Sequence, residues 1–247
     1  RGIWLIGVAG MMTMTMPVWG QNRVLEEWSF DQVNDRQGWE QANHIADLQV
    51  QDGALTGTLL DWDPFLRSPQ FRTEARPWQR VEFRLRCDVG GEGQLFWTHT
   101  TESPYGGFFP KKTTTFPVIG DGEWHEYQVY PFWQNEGEII LIRLDLPRVE
   151  GGQKGRARFA LDWIRIVDLG TPRTQAVPQW SFPRDNEQWL ATGSIELAGP
   201  PEGLRVSLEG TGGRIQGPPV ELDADERFWA TIEMAVDRGE RASLQWA

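Results

Sequence analysis

The sequence predicts an all-β chain: an antiparallel β-sandwich of jelly-roll type, with one complete module followed by a partial second copy. Three observations predict it. The 247 residues include 27 Gly and 16 Pro, which suits short elements joined by tight turns better than long helices. About nine strand-like runs bounded by turn residues fall within about 140 residues, the pattern of an antiparallel sandwich. Outside the N-terminal segment, no window of about ten residues keeps a helical period. Hydrophobic residues make up only 39% of the chain, but 14 Trp and 12 Phe raise the area each can bury.

Residues 1–20 read as an export signal. Arg1 supplies positive charge, residues 3–16 are apolar, and Val18-Trp19-Gly20 offers a cleavage site before Gln21. The apolar run is too short and broken for a comfortable membrane span; the alternative is an anchor that is never cleaved. No Cys follows, so a lipid anchor is not expected. The first module occupies residues 21–168 and opens on a polar stretch, 21–27. Residues 48–50 and 54–59 flank Asp52-Gly53, a hairpin signal. In residues 81–86, Val81, Phe83 and Leu85 alternate with Glu82, Arg84 and Arg86, the mark of a half-buried strand. Residues 94–99, 113–118, 125–129, 139–144 and 157–167 complete the set, with Gly120-Asp121-Gly122 as a turn before one of them. Residues 169–179 contain Gly170, Pro172 and Pro178 and read as a linker; 180–247 read as the partial module.

An internal repeat sets that division. WSFDQVNDRQGW (28–39) is matched by WSFPRDNEQW (180–189), QDGALTGTLL (51–60) by PEGLRVSLEG (201–210), and GEGQLFW (91–97) by ERASLQW (240–246). Trp28, Phe30, Trp39, Gly53, Leu95 and Trp97 thus align with Trp180, Phe182, Trp189, Gly203, Leu244 and Trp246. A repeated module points to a role that gains from copy number, such as binding. Leu95 and Trp97 recur and are expected in the core. Phe96 is replaced by Gln245 and is expected to face outward.

The formal net charge of −11 argues against nucleic acid or an anionic membrane surface as partner and leaves a neutral or cationic one. Cys87, the single cysteine, allows no intrachain disulfide and reads as a part-buried structural thiol. His44, His99 and His125 show no metal-ligand spacing, and no nucleophile elbow, phosphate loop, dinucleotide motif or CxxC is present. No catalytic residue is assigned.

Aromatic residues outside the alternating positions are the candidates for ligand contact. They are Trp62 between Asp61 and Asp63, Tyr105, Phe108 and Phe109 in SPYGGFFPKK, and Trp133 in YPFWQNEG. An exposed ring beside carboxylates and amides suits a sugar, whose C–H face stacks while its hydroxyls take hydrogen bonds. The competing reading is that such rings plug the ends of the sandwich. Trp62 and Trp133 are favoured because polar residues flank both; Asp61, Asp63, Tyr105 and His99 are added as contacts. Asp61 with Asp63, and Glu136 with Glu138, stand two apart but in turns, where acidic residues are commonly solvated. A glycosidase pair facing across a cleft cannot be assembled from them. Asp61 and Asp63 equally suit calcium.

The segments Trp28-Ser29-Phe30-Asp31, Asp52-Gly53-Ala54-Leu55, Gln94-Leu95-Phe96-Trp97, GDGEWHEY (120–127) and Leu161-Asp162-Trp163-Ile164-Arg165-Ile166 together resemble the jelly-roll carbohydrate-binding modules of exported bacterial proteins. The resemblance covers 28–168 well and 180–247 in part. It implies a galactose-binding-like or concanavalin-like sandwich, often in tandem and often attached to a glycoside hydrolase, sulfatase or polysaccharide lyase. It implies a polysaccharide or glycan as partner, a secreted, periplasmic or cell-surface location, and no membrane contact after signal cleavage. No cofactor is required. A structural calcium between Asp31 and Asp162 is implied for the first copy alone, since Pro183 stands in place of Asp31 in the second. The alternatives are a sandwich spacer without ligand, or an accessory part of such an enzyme.

Overall fold

Strand residues alternate between two faces, so a chain with this pattern buries its apolar set only by laying two sheets face to face. The computed structural model has that arrangement. It describes residues 22–102, 104–171, 178–182, 187–193, 195–198, 203–208, 213–222, 228–230, 232–235 and 237. The expected export signal, most of the linker, and Leu244 and Trp246 lie outside the described residues. The chain divides into two units, residues 1–171 and 172–247. Among the described residues no helix is long and apolar enough to cross a membrane.

The first unit contains β1 (Arg23–Ser29), β2 (Glu40–Asn43), β3 (Ile45–Gln51), β4 (Ala54–Leu59), β5 (Phe65–Arg67), β6 (Thr73–Glu74), β7 (Gln79–Cys87), β8 (Gly91–Thr98), β9 (Thr113–Val118), β10 (Trp124–Val129), β11 (Glu138–Ile139), β12 (Leu141–Asp145) and β13 (Arg158–Asp168). One sheet runs β10-β7-β13-β4-β3, with β1 also on β13; the other runs β2-β5-β12-β8-β9; β6 and β11 form a separate pair. All pairings are antiparallel.

β13 is the spine of the first sheet. One edge pairs with β7 along its length, while the other pairs with β4 through residues 158–161 and with β1 through 163–168. A register shift between Leu161 and Trp163 separates the two stretches and puts Asp162 at the irregularity. β1 falls in the stretch expected to be merely polar. It is an edge strand in which Arg23, Val24 and Glu27 are exposed while Leu25 and Glu26 are part-buried, so no clean alternation marks it. The β3–β4 hairpin turns at Asp52-Gly53, both at positive φ (52° and 75°), as a two-residue hairpin turn requires. Gly57 lies opposite Phe159, and a Cβ there would come within 2.7 Å of that ring. The missing side chain is what lets the phenyl ring lie across the neighbouring strand.

Between the sheets lies one core. Trp28, Phe30, Ile45, Leu55, Phe83, Leu85, Ile164 and Ile166 come from the first sheet and its connections, and Leu66, Leu95, Trp97, Phe116, Ile142 and Leu144 from the second. Leu95 and Trp97 are inside, as expected, and Phe96 faces out. Trp28 meets Trp39 edge to face at 5.6 Å. Glu82 is outward by parity yet buried, and Arg80 and Arg165 both bind it, compensating its desolvated charge. Cys87 is fully buried, and burial pushes its thiol up to about 11, so it is an inert core residue.

The second unit contains β14 (Leu190–Thr192), β15 (Ile195–Ala198), β16 (Arg205–Leu208) and β17 (Arg214–Gln216). β14 pairs antiparallel with β17, and β15 with β16. Trp180 meets Trp189 edge to face at 5.4 Å.

Candidate functional site

The outer face of the second sheet and the loop at its rim bring rings and hydrogen-bonding groups together. Pairing register fixes who stands beside whom. Glu40, Arg67, Arg143, Phe96 and Thr113 form one row across five strands. Asn43, Phe65, Asp145, Gln94 and Thr115 form the next. At the usual strand spacing each row spans about 19 Å.

Arg143 is the centre. Its guanidinium carbon lies 3.5 Å from the centroid of the Phe65 ring and 4.8 Å from that of Phe96. Nε donates to Asp145 Oδ1 at 2.7 Å; Nη2 donates to Asp145 Oδ2 and, at 3.3 Å, to Asp63 Oδ1. Asp63 in turn accepts from Asn43 Nδ2 through its backbone carbonyl (2.7 Å) and its carboxylate (3.2 Å). Burial pushes the Asp145 carboxyl up to about 6, against the opposing pull of Arg143.

Trp62 stands at the rim, in the connection from β4 to β5. Its ring is 62% exposed and meets His44 edge to face at 5.9 Å. Beside it, Asp61 is ion-paired with Lys154, whose hydrogen bond holds the Asp61 carboxyl below its usual range. An indole left this open contributes little to the core, and the carboxylates on either side of it in the chain are held by Lys154 (Asp61) and by Asn43 and Arg143 (Asp63). Such a surface can stack on a flat apolar face and hydrogen-bond the hydroxyls at its edge.

The remaining predicted contacts lie elsewhere. Among the described residues Tyr105 is the most exposed large ring at 77%, held at positive φ in a short 3-10 turn, Tyr105–Gly107. His99 lies beyond the end of β8; its Nδ1 is 2.8 Å from Glu136 and 2.9 Å from Lys112 Nζ. Burial acts to raise Glu136, but Lys112 and His99 outweigh it and leave the carboxyl lowered.

Two expectations are corrected. Trp133 is 1% exposed: it meets Trp97 edge to face at 6.2 Å, and its Nε1 donates to Gln79 Oε1 at 2.6 Å. The backbone at Phe132 takes positive φ, turning Phe132 outward and Trp133 inward, so its polar sequence neighbours are not its spatial ones. Phe108 is buried likewise. The implied calcium pair does not fit either. Asp162 is bound by Arg84 at 2.6 Å, Asp31 is exposed, and no three metal-ligating side chains converge among the described residues. A guanidinium already meets the charge a cation would meet.

Sequence reasoning missed Arg143, Asp145, Phe65 and Asn43. The signal available was the alternation of Leu141, Arg143 and Asp145 against Ile142 and Leu144; the partners on β5 and β2 come from strands too short to announce themselves.

No family model matches the chain, and no curated protein matches it. Among solved structures it is similar to the CBM22-1 xylan-binding domain from Paenibacillus barcinonensis Xyn10C, at 16% identity and TM-score 0.38, over 61% of this chain and 97% of that one. It is similar to a carbohydrate-binding module from Cellvibrio mixtus lichenase 5A in complex with cellotriose, at 17% identity and TM-score 0.31, over 58% and 97%. It is also similar to an adhesin domain of Lys-gingipain from Porphyromonas gingivalis, at 8% identity and TM-score 0.40, over 60% and 99%. Likenesses this distant carry no inference about what this chain binds.

Proposed function

We propose that the first unit is a non-catalytic carbohydrate-binding module of an exported, polysaccharide-related protein, and that it engages a glycan through Trp62 and the adjoining sheet face. The exposed Trp62 indole, flanked in the chain by Asp61 and by Asp63, which Asn43 holds, carries this reading. The row from Glu40 to Thr113 offers polar groups over a length that suits several sugar units of one chain. Tyr105 and His99, each exposed, are further single positions that the same class of ligand suits.

The matched hairpins support a tandem arrangement. β14–β17 and β15–β16 stand in the same sequence order as β2–β5 and β3–β4, each set following a tryptophan, Trp189 or Trp39, held edge to face by another. Two weak sites on one chain bind a polymer more tightly than either alone.

Affinity electrophoresis in gels containing soluble plant and microbial polysaccharides tests the reading. The chain is expected to be retarded by at least one, and Trp62→Ala to lose about tenfold of that affinity, the scale of a lost stacking ring. No retardation by any polysaccharide would favour a spacer without ligand.

A further inference from the structure

The surface around Arg143 carries more charge than hydroxyl recognition needs, and its balance bears on the kind of glycan that fits. Nε and Nη2 of Arg143 are spent on Asp145 and Asp63. Nη1 makes no hydrogen bond within the described residues, so a ligand that reaches Arg143 would find its donor there. One guanidinium against two carboxylates leaves the group formally one charge negative. The adjoining pairs, Arg67 with Glu40 and Lys154 with Asp61, are each neutral.

We infer that this surface takes a neutral glycan chain and rejects chains bearing uronates, with Asp63 and Asp145 as the specificity-determining residues. The inference rests on the carbohydrate reading above. A sugar hydroxyl needs one N–H donor and one carboxylate acceptor, and both are in place. A uronate carboxylate reaching Nη1 meets a cation whose charge is already overcompensated, in a site where Arg143 is largely covered, Asp63 is part-exposed and Asp145 is buried. Close charges in such a place are poorly screened, whereas the chain's distant acidic groups are screened over about 8 Å at physiological salt.

The test compares the full chain, near neutral pH and at physiological ionic strength, in gels containing matched neutral and acidic polymers: hydroxyethylcellulose against carboxymethylcellulose, and arabinoxylan against glucuronoxylan. The neutral member of at least one pair is expected to retard the chain several-fold more than its acidic counterpart. Asp145→Asn and Asp63→Asn are each expected to narrow that ratio by about fivefold, the scale of one nearby charge at intermediate dielectric. Glu126→Gln changes an exposed residue of β10, in the other sheet, and is expected to leave the ratio alone, which separates local from chain-wide charge. Should Asp145→Asn fail to fold, Asp63→Asn, at a part-exposed loop position, decides the matter. Equal or stronger retardation by the acidic polymer, or an unchanged ratio in a folded Asp63→Asn, overturns this inference and leaves the carbohydrate reading standing. Retardation by no polymer overturns both.

Discussion

Trp62 and Trp133 have similar polar neighbours in sequence and opposite environments in space. Trp62 rides an open loop, while Trp133 is turned inward by one left-handed residue and anchored to Gln79. Truncation should therefore read out differently at the two positions. Trp133→Ala is expected to cost about 3–5 kcal/mol in chemical denaturation, the usual cost of emptying a large core site. Trp62→Ala should leave the denaturation midpoint close to the parent's while weakening binding. Asp145 carries a pH signature. Its folded pKa of about 6 lies above the ordinary 3.8, so the folded chain holds this proton more tightly than the unfolded chain does. Acidification from above pH 6 towards 4 therefore stabilises the fold through this group, and the gain is lost as pH rises through about 6. Asp145→Asn lacks this titration. The stability difference between variant and parent should shift in the parent's favour on acidification, and a pH-independent difference in melting midpoint would count against it.

At the scale of elements, the irregularity in β13 does two jobs. It lets one strand pair with β4 and then β1 along the same edge, and it places Asp162 where Arg84 of β7 reaches it. Because that cation comes from the chain itself, chelator is expected to leave the melting midpoint of the first unit unchanged. A drop on chelation that calcium restores would refute the pairing as the whole account. The long strands β7, β8, β9, β10 and β13 were legible because their sequences alternate or are bounded by turn residues. β1, β2, β5 and β6 were not, because short or edge strands are defined by the partner they find and carry no pattern of their own. The candidate site suffers directly: two of its strands, β2 and β5, are of this kind.

At the scale of the molecule, the first unit closes a core between its two sheets from its own residues. Residues 22–171 expressed alone are expected to unfold in one cooperative transition, measurable by calorimetry. A broad, non-cooperative melt would show that this core is not sufficient. The formal charge of −11 belongs to the same scale, and it agrees in sign with the excess of carboxylates around Arg143.

The sequence by itself determined the fold class, the duplicated pattern, and the inward set of Leu95 and Trp97 with Phe96 outward. Each of these follows from local periodicity or from comparing one part of the chain with another. Only the tertiary structure decided that Trp133 is core, that Asp162 belongs to Arg84, and that Phe65, Arg143 and Asp145 share one surface with Asp63. Those facts depend on register between strands separated by as many as 80 residues, as Arg143 and Asp63 are. Such register is fixed by packing of the whole sandwich, and no local stretch of the chain encodes it.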